Sequence, residues 1–168
     1  MTVIKAWRRR PAQDAAPQRQ STAMSLTTPL REHHRHCDDI FARAEEDATE
    51  GRWDQGAASL ALLQGQLEAH FASEEELLFP AFEAATGMCS GPTAIMRGEH
   101  AQMRDLLAQL GRDLAARDAE GYGGTAETLL ILMQQHNLKE ENILYPMCDR
   151  AVAGAALAAG LAGRLAQA

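Results

Sequence analysis

Apolar and polar residues recur along most of this chain with the period of an amphipathic α-helix. A helix packed in a bundle shows apolar residues separated alternately by three and four positions. Runs in which apolar and polar residues alternate one by one, as in a half-buried strand, are absent. The pattern therefore predicts an all-α protein. One stripe includes two polar residues, since it consists of Leu60, Leu63, Leu67, His70, Glu74 and Leu77.

Capping signals divide the chain into four long helices. The first begins at Thr27-Thr28-Pro29, where a cap residue precedes a proline suited to the first helical turn. The helices are expected at about 27–50, 53–85, 92–118 and 125–150, with a glycine-rich turn at 121–124 before the last. Connections this short favour an antiparallel up-down-up-down four-helix bundle.

The bundle, expected at 27–150, lies between two segments of different composition. The Ala-rich segment 151–168 has leucines at positions 157, 161 and 165 on one face, which predicts a short C-terminal helix docked on the bundle or on a partner chain. The segment 1–26 carries five basic residues against Asp14 and lacks the apolar region of a secretory signal. We expect it to be a disordered basic arm, unless the natural chain begins at Met24.

The second half of the chain repeats the first at an offset of 66 residues. HFASEEELLFP (70–80) aligns with HNLKEENILYP (136–146), and REHHRHCDDIFA (31–42) aligns with RGEHAQMRDLLA (97–108). The chain therefore contains two copies of one helical hairpin, which we expect to pack about a pseudo-two-fold axis. The repeat also selects His34 among the three neighbouring histidines, because only His34 aligns with a histidine and lies on the apolar stripe.

Each of the four inward-facing stripes carries a histidine, and the second and fourth add a glutamate four positions later. Residues i and i+4 lie one above the other on a helix face, so each imidazole and its carboxylate point to the same part of the core. A hydrophobic core does not accept such groups unpaired. The candidates are His34, His70, Glu74, His100, His136 and Glu140.

Two interpretations account for these six residues: a hydrogen-bonded His–Glu network without metal, or a metal site in which cations replace protons. The repetition of the set at one offset favours the metal site. Six side-chain ligands are too many for a closed tetrahedral zinc site, and they suit two ions with carboxylate bridges and open positions. Mixed imidazole and carboxylate ligands fit iron or manganese better than zinc.

The composition excludes several classes of partner. With 168 residues and 46% apolar residues, the chain is long enough for one domain with a buried core. Its net charge of −7 argues against nucleic acid as a partner. No apolar run approaches the roughly 18 residues that span a bilayer, so no membrane partner is expected. Cys37, Cys89 and Cys148 lack framework spacing, which predicts free thiols and a cytoplasmic location.

The motifs resemble those of the hemerythrin-like, or HHE cation-binding, family. The resemblance covers about 29–150 and rests on HFxxEExxLFP, the EH of the third helix and HxxxEExxLYP, in that order. It implies a four-helix bundle around a non-haem di-iron centre. By this resemblance, His34 and His70 bind one iron, His100 and His136 bind the other, and Glu74 and Glu140 bridge both.

Two positions depart from the oxygen-carrying hemerythrins. Arg104 stands where those proteins have a second third-helix histidine, and Glu140 follows His136 by four positions where they have an aspartate at five. One iron therefore loses a nitrogen ligand and gains an open position. We expect a protein that binds or senses O₂, NO or peroxide, or handles iron in a stress response, as a monomer or homodimer. The alternatives are a di-iron oxidase, peroxidase or NO-reducing enzyme with a redox partner, and a structural bundle whose metal site is not catalytic.

Residues beside the candidates carry weaker expectations. Glu75 and Glu141 lie about 100° round the helix from the bridging glutamates, where they either hydrogen-bond to ligand imidazoles or face solvent. His33 and His36 are expected on the surface, and Glu99 is expected as an acid on the helix face.

Four other neighbours are predicted to have structural roles. Pro80 and Pro146 each remove a backbone donor and are expected to kink their helices. Cys37 is expected to fill the core, and Tyr145 is expected to pack at a helix end.

Overall fold

A computed structural model of the protein describes residues 25–152 and 154–167. The described residues form helices and no strand, so the all-α prediction is confirmed. None of these helices is both long and apolar enough to cross a membrane. The predicted N-terminal arm lies outside the described residues, except for its last two. The elements are α1 (Thr28–Thr49), α2 (Trp53–Ser73), π1 (Glu74–Leu78), α3 (Phe79–Thr86), α4 (Pro92–Ala116), α5 (Ala119–Lys139), π2 (Glu140–Leu144), α6 (Tyr145–Ala151) and α7 (Ala155–Leu165).

The long helical segments pack as a bundle. Helix α1 contacts α2 and α5, and α4 contacts the same two helices. Two apolar clusters fill the interior, one around Phe71 and Leu129 and the other around Phe79 and Leu144. Along every long segment, the candidate metal residues lie between members of these two clusters. A polar layer therefore divides the core into two apolar parts.

The second and fourth long segments each contain a single π-helical turn at their metal-site glutamate. In these turns the backbone hydrogen bond spans five residues: the Phe79 N–H donates to the Glu74 carbonyl, and the Tyr145 N–H donates to the Glu140 carbonyl. The second residue after each turn is a proline, Pro80 or Pro146, which has no N–H to donate to an α-helical bond. The disturbance predicted at the two prolines as a kink is therefore a π-turn.

The π-turns change which side chains face the core beyond them. The regular helical spacing places Leu77 and Ile143 on the inward stripe, but Leu77 is only partly buried and Ile143 is 55% exposed. A wider turn holds one extra residue, which rotates the following helix by about 100°. The predicted stripe is therefore wrong after each turn. The buried side chains are those one and two positions later: Leu78, Phe79, Leu144 and Tyr145.

The predicted turn at 121–124 is also wrong, because these residues lie within α5. The turn consists of Arg117, whose positive φ of 55° ends α4, and Asp118. The Asp118 carboxylate accepts a hydrogen bond of 2.9 Å from the Gly121 N–H and caps α5. Such a cap satisfies one of the free N–H groups of the first turn, and the burial of Tyr122 and Ala126 adds further stabilisation against the low helix propensity of the glycines.

Helix α7, the predicted C-terminal helix, docks on the bundle of its own chain. Leu161 is fully buried in the second apolar cluster, and the other two leucines of the predicted face are partly buried. Arg164 donates hydrogen bonds to the carbonyl of Ala72 at 2.9 Å and to the carboxylate of Glu76 at 2.6 Å. The helix therefore covers the junction between α2 and π1.

We expect Leu161→Ala to lower the free energy of unfolding by about 2–4 kcal/mol, because it leaves a cavity between α7 and the bundle. Urea denaturation monitored by circular dichroism measures the loss. Leu138→Ala is the matched control, since the Leu138 side chain is 47% exposed and its truncation should cost less than about 0.5 kcal/mol. Equal losses in the two variants would contradict the docking of α7.

Candidate metal centre

All six candidate side chains are buried in the polar layer between the two apolar clusters. Helices α1 and α4 each contribute one histidine, and the two segments with π-turns each contribute a histidine and a glutamate. The structure thus brings together the complete set that the repeat singled out. Their role as metal ligands remains a prediction.

The four imidazoles are arranged in two pairs, one from each half of the chain. The Nε2 atoms of His34 and His70, the N-terminal pair, lie 3.1 Å apart. The Nε2 atoms of His100 and His136, the C-terminal pair, lie 3.2 Å apart. The two hairpins therefore present equivalent nitrogen pairs, as the repeat predicts.

The carboxylates of Glu74 and Glu140 lie between the two pairs. Glu74 Oε2 is 3.2 Å from the Nε2 of His100 and 3.6 Å from the Nε2 of His70. Glu140 contacts the His34 Nε2 through Oε2 and the His136 Nε2 through Oε1, both at 3.2 Å. Each glutamate therefore reaches one imidazole of each pair, which is the placement that a bridging carboxylate needs.

Three further carboxylates, here called the outer carboxylates, contact the Nδ1 atoms of three of the imidazoles. Two of them are Glu75 and Glu141, which therefore hydrogen-bond to an imidazole and do not simply face solvent. Glu99 was not expected in this role, although it is the residue directly before His100 in the chain. The contacts are those of Glu141 with His34 at 2.8 Å, Glu75 with His100 at 2.7 Å and Glu99 with His136 at 3.0 Å, each at Nδ1. A carboxylate in this position fixes the tautomer and raises the basicity of a metal-ligating imidazole.

The expectation that His33 lies on the surface is wrong, whereas His36 is exposed as predicted. The His33 ring is buried and stacks on His70 with a centroid distance of 5.3 Å, and its Nε2 lies 2.9 Å from Gln66 Oε1. At the repeat offset, His33 aligns with Glu99. It does not replace the glutamate functionally, because the Nδ1 of His70 is buried without a hydrogen-bond partner.

Tyr145 is a further site residue that sequence reasoning missed, since it lies in the cluster and the expectation that it packs at a helix end is wrong. Its side chain is fully buried, and its hydroxyl donates to Glu74 Oε1 at 2.6 Å and contacts Glu140 Oε2 at 3.0 Å. The hydroxyl also lies 3.3 Å from the Nε2 of His34. The π-turn brings this side chain inward, so regular helical spacing gave no signal for it. The repeat equivalent is Phe79, which has no hydroxyl.

The electrostatics of the cluster follow from burial and from the opposed charges. Burial and the facing charge of Glu140 raise the pKa of Glu74 to about 6. Burial opposes ionisation of Glu140 as well, but the imidazoles of His136 and His34 hold its pKa well below the usual range. Burial and the two carboxylates raise the pKa of Tyr145 well above 10, so its hydroxyl remains a hydrogen-bond donor.

The C-terminal pair tests whether the residues fit a metal. The Nδ1 atoms of His100 and His136 face carboxylates, so the Nε2 atoms of both rings face the cluster. Glu74 Oε2 and Glu140 Oε1 are buried beside them, each 3.2 Å from one of these Nε2 atoms and without a partner outside the cluster. Loss of the protons at Nε2 would leave four buried acceptors facing one another, and one metal cation satisfies all four. The donor set therefore fits a metal ion.

The sequence matches the hemerythrin HHE cation-binding domain over residues 25–148. The chain belongs to this family. The resemblance inferred from the two HxxxE motifs is thereby confirmed.

The curated relatives include proteins of the same name from two species. The chain is 32% identical over 104 residues to the iron-sulfur cluster repair protein YtfE of Yersinia pestis (strain Pestoides F) and to that of Yersinia pseudotuberculosis serotype O:1b (strain IP 31758). Each match covers 56% of this chain and 47% of the relative, so the matched region spans about half the length of these proteins. No solved structure matches the chain significantly.

Within this hemerythrin HHE domain, Arg104 lies outside the six-residue cluster. Its guanidinium donates to Glu75 at 3.0 Å and to Glu68 at 2.8 Å, and it lies 5.1 Å from the ring centroid of Phe71. Arg104 therefore supports the carboxylate that contacts His100 and adds no ligand atom to the cluster. The buried thiol of Cys37 is a core residue, as expected: burial raises its pKa to about 12, which disfavours the thiolate that a metal would bind.

Proposed function

We propose that the protein binds two non-haem iron ions in the polar layer. His34 and His70 would bind one ion, His100 and His136 would bind the other, and Glu74 and Glu140 would bridge them. The observation that carries this proposal is the pair of buried carboxylates that each reach one imidazole of both pairs. A bound iron pair would supply a redox-active centre able to interact with a small ligand.

Iron is favoured over other cations by ligand chemistry and by the relatives. Mixed imidazole and carboxylate donors suit iron or manganese, whereas a structural zinc site is closed by four ligands. The matched relatives are called iron-sulfur cluster repair proteins, a name that associates those proteins with iron. We therefore propose an iron-handling role in a stress response.

The small ligand that we propose for this centre is O₂, NO or peroxide. Six side chains on two ions leave coordination positions open, and Arg104 supplies none of the missing ligands because it pairs with Glu75 and Glu68. We further propose a cytoplasmic protein and an antiparallel up-down-up-down order of the four long segments. The short connections and the ring of helix contacts support that order.

The test is metal analysis of protein purified from iron-replete cells, combined with an optical spectrum of the oxidised form. We expect about two iron ions per chain and the near-ultraviolet bands of an oxo-bridged diferric pair. A metal content well below one ion per chain would rule out the proposal. A second experiment distinguishes an enzyme from a sensor by mixing the diferrous protein with O₂, NO or H₂O₂. Repeated turnover in the presence of a reductant indicates an enzyme, and a single stable adduct indicates a sensor.

A further inference from the structure

We infer that the two halves of the cluster bind metal with unequal affinity, and that the half containing His100 and His136 fills first. This inference rests on the proposed dinuclear site and adds an order of loading to it. The repeat makes the two halves equivalent in their Nε2 donors. Three structural differences around those donors distinguish them, and all three favour the C-terminal half.

The first difference is the number of donor atoms that converge. In the C-terminal half, the two Nε2 atoms lie 3.2 Å from Glu74 Oε2 and Glu140 Oε1, respectively, and neither oxygen has a hydrogen-bond partner outside the cluster. These four donor atoms lie within 4.8 Å of one another. In the N-terminal half the corresponding group has three members: His34, His70 and Glu140.

The second difference is that a tyrosine hydroxyl occupies the N-terminal half. The Tyr145 hydroxyl lies 3.3 Å from the Nε2 of His34 and 3.5 Å from the Nε2 of His70. It also donates to Glu74 Oε1 at 2.6 Å and contacts Glu140 Oε2 at 3.0 Å. A metal entering this half must displace or compete with these hydrogen bonds. Because Phe79 occupies the repeat-equivalent position, the C-terminal half contains no such hydroxyl.

The third difference is the outer carboxylates. Both imidazoles of the C-terminal pair have one, from Glu75 and Glu99, whereas in the N-terminal pair only His34 does. Lys139 also pairs with Glu99 and holds it in place. The missing partner of His70 follows from the histidine at position 33, where the second hairpin has a glutamate. Outer-shell partners of this kind change metal affinity by about 10–100-fold.

A matched pair of ligand variants tests the order of loading. Metal-free full-length protein is titrated with Co²⁺ and followed by calorimetry and by the visible absorption of the bound ion. We expect two steps in the wild type, with dissociation constants at least about tenfold apart. His34→Ala should keep the tight step at about one ion per chain, and its repeat equivalent His100→Ala should keep only the weak step. If His34→Ala loses the tight step instead, or the two wild-type steps coincide, the inference is overturned.

Outer variants test the cause without removing a ligand. Glu99→Gln, which keeps the shape of the side chain, should weaken the tight step about tenfold or more and leave the other step unchanged. Tyr145→Phe should tighten the weak step, and Phe79→Tyr should weaken the tight one. Unchanged affinities in Glu99→Gln and Tyr145→Phe would overturn the inference. Wild-type protein that binds no Co²⁺ or Fe²⁺ overturns the proposed metal site itself, whereas two equal steps overturn only the order of loading.

Discussion

Glu140→Ala is expected to reduce the metal content to less than one ion per chain and to remove the stabilisation that metal provides. Glu140 contacts one imidazole of each pair and is fully buried, so its loss removes a donor from both proposed metal positions. Metal at 100 times its dissociation constant stabilises a folded protein by about 2.7 kcal/mol. For a domain of this size, that corresponds to about 5–10 °C in melting temperature.

The measurements are metal analysis after desalting and melting curves with and without a chelator. In the wild type the chelator should lower the melting temperature, and in Glu140→Ala it should have no effect. Glu127→Ala is the control, since it makes the same substitution at an exposed glutamate of α5. Retained metal together with a chelator-sensitive melting temperature in Glu140→Ala would show that the ligand assignment is wrong. His70→Ala should also lower the metal content, but only to about one ion per chain, because His70 belongs to the half that contains His34.

Phe71→Ala is expected to destabilise the metal-free protein by about 3–5 kcal/mol. The Phe71 ring is fully buried beside the polar layer, stacks on the His100 imidazole with a centroid distance of 4.2 Å and lies under the guanidinium of Arg104. Truncation leaves a cavity in the first apolar cluster and removes the surface that supports a proposed ligand. The loss is a large fraction of the stability of an ordinary domain.

Urea unfolding in the presence of a chelator measures this effect without a contribution from bound metal. Phe71→Leu serves as the comparison, because it keeps most of the buried volume and should cost less than about 1.5 kcal/mol. A Phe71→Ala protein whose free energy of unfolding is within about 1 kcal/mol of the wild type would contradict the packing described for this ring.

The site was predictable because the sequence repeats a chemically unusual pattern. A buried histidine alone has many explanations, but an imidazole on each of four apolar stripes, with glutamates at equivalent offsets, restricts the options to a network or a metal site. The same comparison distinguished His34 from its two histidine neighbours. The structure places that side chain in the cluster, 3.1 Å from His70.

What could not be predicted depends on backbone geometry and on contacts between helices. The π-turns rotate the segments that follow them, which exposes Ile143 and brings Tyr145 onto the two carboxylates. Periodicity alone does not reveal one extra residue in a turn. The predictions for Glu99 and His33 were wrong for a different reason. Each of these residues contacts a side chain of another helix, His136 and Gln66 respectively, and helical periodicity does not predict contacts between helices.

The docked C-terminal helix has a practical consequence for work with shortened chains. The family match ends at residue 148, but Leu161 lies beyond it and completes the apolar cluster that also contains Leu30 and Leu78. A recombinant protein that ends at residue 148 would expose the apolar side chains that Leu161 covers next to π1. It would also lose the hydrogen bonds of Arg164 to Ala72 and Glu76. Recombinant proteins should therefore include all residues through Leu165, the last residue of α7.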